Sequence, residues 1–258
     1  MEIIFLGTGT SIGVPVIGCP CEVCNSQDPH DKRLRASIAV ETRRKRLLID
    51  CGPDFRWQML TSRIHELDGV LLTHEHYDHV GGLDDLRPFG WQRDVDIYAE
   101  ANVTKAIHTR LPYVFKENKY PGVPNLLLHV IDNQPFEVAG IPIIPIRLMH
   151  ANLPILGFRI GNMAYLTDVK TIPEEEFSKL NNLEILIIDA LRKTPHISHA
   201  SLDEALAYID RIQPKEAYLT HMSHHVGLHA IIDKELPPHI HYAYDGLRLH
   251  LNDCIRSK

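Results

Sequence analysis

One short stretch restricts what this chain can become more than any other. After the apolar run Gly69-Val70-Leu71-Leu72 comes Thr73-His74-Glu75-His76-Tyr77-Asp78-His79, followed by Val80-Gly81-Gly82. Four side chains of metal-ligating type, His74, His76, Asp78 and His79, fall within six residues. A helix would spread such close neighbours around its axis, whereas a strand giving way to a turn aims them together. Ligands packed in this way serve two adjacent metal ions, and the mixed nitrogen and oxygen set suits Zn, Mn or Fe. The pattern also demands partners from elsewhere in the chain, so the fold has to bring other strand ends to the same place.

Candidate strand ends are plentiful. Apolar runs of strand length, rich in Ile, Leu and Val, stand at 3–6, 37–41, 47–50, 69–73, 141–148, 156–160, 164–167, 185–189 and 217–220. Helical patterns lie between them at 55–64, 103–111, 173–180, 201–212 and 229–236. The fourth is the clearest, with Ser201 and Glu204 at capping-box spacing and Leu202, Ala205, Leu206 and Ile209 along one face. This mixture predicts an α/β chain with layered sheets rather than regular βαβ alternation. The 258 residues suit one large domain.

The 33 acidic against 27 basic residues give a net charge of −6, which disfavours binding nucleic acid mainly by neutralising phosphates. No apolar run reaches the roughly 20 residues that span a bilayer, and the N-terminus lacks the basic and apolar regions of a signal peptide. The expectation is a cytoplasmic chain. Its 17 histidines are a surplus that metal ligation and proton transfer would partly explain.

The run His74-x-His76-x-Asp78-His79 resembles the signature of the metallo-β-lactamase superfamily, and the likeness extends over essentially the whole chain. It implies a four-layer αββα sandwich formed as a single domain over 1–258. It also implies that His74, His76 and His150 hold one divalent metal, that Asp78, His79 and His221 hold a second, and that Asp168 bridges the two, which would be Zn or Mn. His150, Asp168 and His221 each follow an apolar run in the expected order. Asp50, at the end of Leu47-Leu48-Ile49, matches the family's carboxylate that orients a ligating imidazole from behind.

Two further clusters narrow the branch. Cys19-Pro20-Cys21-Glu22-Val23-Cys24 supplies three soft ligands, one short of a closed zinc site. The run Thr220-His221-Met222-Ser223-His224-His225 offers a spare imidazole. Together these resemble the PhnP-like cyclic-phosphate phosphodiesterases. That likeness implies a structural zinc on Cys19, Cys21, Cys24 and His224, with His225 an alternative fourth ligand, in a knuckle inserted around 18–30. His199, in His196-Ile197-Ser198-His199, takes the place of the family's histidine beside the metals and would protonate the departing oxygen. Cys51 and Cys254 read as plain buried residues.

The implied activity is hydrolysis of a small phosphodiester, such as a cyclic ribose or nucleotide phosphate, by water activated between the metals, with Asp78 and His199 in the reacting centre; a homodimer is also implied. The rivals are a tRNA 3′-processing endonuclease of the same superfamily, a thioester or β-lactam hydrolase, and a non-catalytic zinc-binding protein. The segment 112–124 is either an ordered surface loop or a cover over the substrate. The glycines at 7, 9 and 13 do not fit a dinucleotide-binding G-x-G-x-x-G and read as a turn that permits close backbone approach.

Overall fold

A computed structural model describes residues 1–91 and 93–251. Its strands are β1 (Glu2–Gly7), β2 (Ser37–Thr42), β3 (Lys45–Ile49), β4 (Gly69–Leu71), β5 (Val95–Ala99), β6 (Leu126–Val130), β7 (Phe136–Val138), β8 (Ile141–His150), β9 (Leu153–Ile160), β10 (Met163–Leu166), β11 (Ile185–Asp189), β12 (Glu216–Thr220), β13 (Ile240–Tyr242) and β14 (Arg248–His250). Helices are α1 (Glu22–Asn25), α2 (Phe55–Ser62), α3 (Tyr77–Val80), α4 (Ala101–Arg110), α5 (Leu202–Ile212) and α6 (His229–Ile232).

The strands form two seven-stranded sheets, ordered β14-β1-β2-β3-β4-β5-β6 and β13-β12-β11-β10-β9-β8-β7. Both mix parallel and antiparallel pairs. The near-continuous Ile, Leu and Val runs are what a sheet covered on both faces requires. One face of each sheet meets the other through Ile3, Phe5, Ile38, Ile49, Phe158, Tyr165 and Ile187, all buried. The outer face of the first sheet packs on Phe55 and Met59 of α2 and Val103 and Ile107 of α4. The outer face of the second packs on Ala205, Ile209 and Ile212 of α5. This is the four-layer αββα sandwich of the metallo-β-lactamase fold.

Parallel pairing places the site. Ile49 of β3 pairs with Leu71 of β4, so Asp50 and Thr73 leave the first sheet side by side. Leu166, Ile188 and Leu219 align across β10, β11 and β12, so Asp168, Asp189 and His221 leave the second sheet at one edge. The amide of Leu156 in β9 donates to the Thr73 carbonyl at 3.1 Å, tying the two edges together. The 8–10 turn does the same from the other side, exchanging backbone hydrogen bonds with Met222. A side chain at Gly7 would meet the Arg35 carbonyl at 2.0 Å, so glycine there does permit a close approach. The amides of Gly9, Thr10 and Gly13 are all spent on backbone carbonyls.

α5 begins at Leu202 with the complete Ser201–Glu204 capping box. The segment expected as a helix at 173–180 is instead a 3-10 helix over Glu174–Leu180, and 229–236 splits into α6 and a 3-10 turn. Phe177 and Leu180 of the first and Ile232 and Leu236 of the second pack into the core beneath the second sheet, and such tertiary packing overrides helical preference in short stretches. The segment 112–124 contains no regular element and packs against the 83–87 turn, where the Tyr113 hydroxyl donates to Asp84 Oδ1 and Arg87 to the Gly122 carbonyl. No helix among the described residues is long and apolar enough to cross a membrane.

Candidate metal centres

Three residues that end strands here, Asp50, Asp168 and His221, have positive φ of 65°, 54° and 57°. Left-handed backbone is uncommon for such side chains and persists where the surroundings hold it. In each case it swings the side chain off the strand into the space between the sheet edges. Gly52 lets α3 close over that space, because a Cβ there would stand 2.0 Å from the Asp78 carbonyl oxygen.

Donor atoms of Asp78, His79, Asp168 and His221 all lie within 4.8 Å of one another, and the four residues are buried. His79 Nε2 stands 3.1 Å from Asp168 Oδ2 and 3.2 Å from Asp78 Oδ2. His221 Nε2 is 3.3 Å from Asp168 Oδ1 and 3.7 Å from Asp78 Oδ2. The Nε2 atoms of His79 and His221 are fully buried yet make no hydrogen bond. Buried polar atoms left so are costly, and here they surround a common point, which is what a metal fits. On the other side of Asp168 the rings of His74, His76 and His150 cluster, with centroids 4.6 Å (His74–His76), 5.2 Å (His76–His150) and 5.8 Å (His74–His150) apart.

The ring tautomers are set from behind. His79 Nδ1 donates to Asp50 Oδ2 at 2.7 Å. The Thr73 hydroxyl donates to the same carboxylate at 3.0 Å and accepts from His74 Nδ1 at 2.9 Å. His150 Nδ1 donates to the Asp168 carbonyl at 3.0 Å. Each of these three rings therefore presents Nε2 for a ligand role, free already in the neutral rings of His74 and His150 and freed at His79 when a metal displaces its second proton.

The charges of the two clusters differ. Burial works against protonation of His79 and His221, but the Asp168, Asp50 and Asp78 carboxylates around His79 hold it well above its ordinary range. Asp168, Asp78 and Asp189 push His221 up to about 9. Burial pushes His74, His76 and His150 down. At pH 7 the metal-free protein thus favours the doubly protonated, charged ring at His79 and His221 and the neutral ring at the other three. A metal entering the Asp78–His79–Asp168–His221 cluster has to displace those protons, so its affinity is expected to rise with pH up to about 9. A metal at His74, His76 and His150 displaces none. With the Cys19–Cys21–Cys24–His224 site already filled with zinc, calorimetric zinc titrations at pH 7 in buffers of different ionisation enthalpy should show proton release for only one of the two remaining binding events; loading both without release would contradict the assignment.

His199 sits beside these clusters, its ring 4.6 Å from His150 and 4.8 Å from His221. Its Nδ1 bonds Asp189 Oδ2 at 2.9 Å. Asp189 is completely buried and was not singled out from sequence. The signal was present, since Ile185-Leu186-Ile187-Ile188-Asp189 ends an apolar strand in a carboxylate just as Leu47-Leu48-Ile49-Asp50 does.

The cysteines meet as a separate group. Sγ of Cys19, Cys21 and Cys24 lie 3.3, 3.3 and 3.4 Å from His224 Nδ1. A tetrahedral zinc with thiolate and imidazole ligands spaces such atoms about 3.5 Å apart, so the group fits one. The backbone amide of Cys24 and the His224 ring pull the Cys21 thiol down to about 6, while burial pushes Cys24 up to about 11. The structure brings His224 to the cysteines; His225 lies against the His224 ring instead, tilted at 46° with centroids 4.1 Å apart. Cys51 is buried, and Cys254 lies outside the described residues. Cys24→Ser is expected to remove one zinc per chain and lower stability by about 3 kcal/mol, or about 10 °C in Tm. Unchanged zinc content by mass spectrometry would contradict this.

Two stacked mixed sheets with a buried His/Asp cluster at their shared edge define a metallo-β-lactamase-like protein with a candidate metal site. Residues 45–222 match the family described as the beta-lactamase superfamily domain, and the chain belongs to the metallo-β-lactamase superfamily. Within it the chain is PhnP-like. It shares 38% identity and a TM-score of 0.91 with the crystal structure of a new diphosphatase from the PhnP family, covering 96% of each chain. It is 51% identical over 256 residues, 98% of its length, to a Porphyromonas gingivalis protein named octanoyltransferase, but spans only 52% of that protein. Zn(2+)-bound PqqB from Methylobacterium extorquens shares the fold, with a TM-score of 0.79 at 20% identity over 97% of this chain and all of that one.

Proposed function

We propose that the chain is a metal-dependent phosphodiesterase for small phosphodiesters, cyclic ribose or nucleotide phosphates among them. His74, His76 and His150 would hold one divalent ion, Asp78, His79 and His221 the other, with Asp168 between them and a zinc on Cys19, Cys21, Cys24 and His224. When bound, the two ions would supply activation of water near neutral pH and neutralisation of charge on the phosphoryl oxygens. The observation that carries the reading is the Asp189–His199 pair beside these clusters. With Nδ1 held by the carboxylate, His199 has Nε2 free for a departing oxygen.

Burial and the neighbouring His221 push His199 down to about 4, so its ring is neutral before substrate arrives. An anionic phosphodiester reverses that balance, since negative charge favours the imidazolium. His199 then takes up a proton with the substrate and returns it to the leaving alkoxide, which departs poorly without one. Asp189 fixes the ring and stabilises its charged form. Asp50, through His79 directly and His74 by way of Thr73, fixes the rings on the opposite side.

A second reading has one observation in its favour. The 51%-identical relative is named for octanoyl transfer, although the chain spans half of it. Thioester hydrolysis would use the same clusters. The deciding experiment is metal analysis of purified protein, followed by parallel assays of bis(4-nitrophenyl) phosphate, cyclic nucleotides and an octanoyl thioester with Zn and Mn. Phosphodiester turnover is expected to dominate. Dominant thioester turnover would overturn the proposal.

A further inference from the structure

On the reading that His74, His76 and His150 hold one ion, we propose that α4 is a strut that sets the spacing of these ligands. Glu75, which separates two of them in sequence, is the positioning residue that the strut grips.

The need for such a part arises at His76. His74, His79 and His150 are each fixed from behind through Nδ1, by the Thr73 hydroxyl, Asp50 and the Asp168 carbonyl. His76 has no such anchor. Among the described residues its ring hydrogen-bonds only to another proposed ligand, with Nδ1 3.0 Å from His74 Nε2. That contact cannot serve as an anchor once both rings turn to an ion. His76 is also exposed, whereas His74, His79 and His150 are buried. The direction in which its ring points therefore depends on the backbone of the 74–76 turn.

Glu75 holds that backbone. In extended chain, successive side chains point to opposite sides, so the carboxylate between the two histidines faces away from their cluster. It accepts from Asn102 Nδ2 at 3.0 Å, and the Glu75 carbonyl accepts from Arg110 Nη1. Asn102 and Arg110 stand near opposite ends of α4, so one helix takes the same residue by side chain and by main chain. The inner face of the helix, Val103 and Ile107, shares a buried cluster with Val70 and Leu72, the run that leads into the turn.

The far end of the strut is fixed to β8. Glu100, which caps α4, accepts from both terminal nitrogens of Arg147, Oε1 from Nη2 at 2.5 Å and Oε2 from Nη1 at 2.7 Å, the bidentate form of this pair. Arg147 is itself held, its guanidinium donating to the Ile155 carbonyl of β9 at 3.3 Å and its amide to Glu176 at 2.8 Å. Three residues further on, the same strand ends in His150. A bonded path thus runs from His150 through Arg147, Glu100 and α4 to Glu75, with His74 and His76 on either side of it. Outer partners that orient metal ligands are worth about 10- to 100-fold in affinity.

The test is zinc binding, followed by calorimetry, to protein whose Cys19–Cys21–Cys24–His224 site is already filled, with Co(II) absorption as a second readout. Glu75→Ala is expected to weaken the event without proton release by about tenfold or more and to change the visible Co(II) spectrum of that position. The event with proton release, at Asp78, His79 and His221, should stay within about threefold. Glu75→Gln keeps an oxygen that can accept from Asn102 and should recover most of the affinity. Glu100→Ala, remote from the ligands, should give the same selective loss in smaller measure, because it cuts the path at its other end. Equal weakening of both events, or an unchanged event without proton release, would overturn the strut while leaving the metal reading intact. His76→Ala binding both ions with unchanged affinity would overturn the reading of His76 as a ligand, and the strut with it.

Discussion

Replacing Asp168 is expected to disarm both catalytic positions at once. Asp168→Asn should lose the ion at Asp78, His79 and His221 and weaken the one at His74, His76 and His150. Turnover of a phosphodiester reporter should fall by about 10³-fold or more, because water activation and charge neutralisation both depend on the ions. The reason lies in how many groups converge on this residue. Its two carboxylate oxygens face His79 at 3.1 Å and His221 at 3.3 Å, and its backbone carbonyl orients His150. The amide variant keeps the size of the side chain, and Thr167, which bonds Oδ2 at 2.7 Å, can still reach it. Circular dichroism should report a folded protein and mass spectrometry a depleted one. A folded variant retaining two ions and substantial activity would remove Asp168 from the bridging role.

The second large effect is selective. His199→Ala should cut turnover of substrates with alkoxide leaving groups by about 10²- to 10⁴-fold, while a 4-nitrophenyl ester, which needs no protonation, loses less than about tenfold. Metal content should stay the same. Asp189→Asn should reproduce the pattern in weaker form, since it leaves the ring in place but alters which nitrogen carries the proton. Equal losses on both classes of substrate would mean that His199 positions the substrate and does not protonate it.

What the sequence revealed and what it hid follow from one distinction. His74 to His79 declare themselves because four ligands crowd one turn, and contiguity is visible without a structure. His150, Asp168 and His221 are single residues, found only because that turn required partners and a family resemblance supplied their order. Asp189 had neither aid. It looks like Asp50 in every local respect, and only the alignment of β11 between β10 and β12 shows that it stands behind His199. The strands were legible where both faces are buried, as in Ile185-Leu186-Ile187-Ile188. They were missed where one face is wet: Val95 to Ala99 alternates buried and half-exposed residues, and β6, β7, β13 and β14 are short or edge elements. His224 rather than His225 reaches the cysteines because Ser223 caps the turn that orients them, a detail that spacing alone does not carry.

Both clusters are assembled from distant parts of the chain. Cys19 and His224 are 205 positions apart, and the His/Asp cluster needs His221 as well as Asp78 and His79. During synthesis, then, neither cluster exists until nearly nine-tenths of these residues have left the ribosome. The nascent polypeptide holds three early thiols and a His-rich turn with no completed cage, so any ion caught at that stage is held by partial, exchangeable coordination. Loading belongs to the finished fold, and the cell's metal supply at that moment, more than at translation, decides which ion the protein keeps.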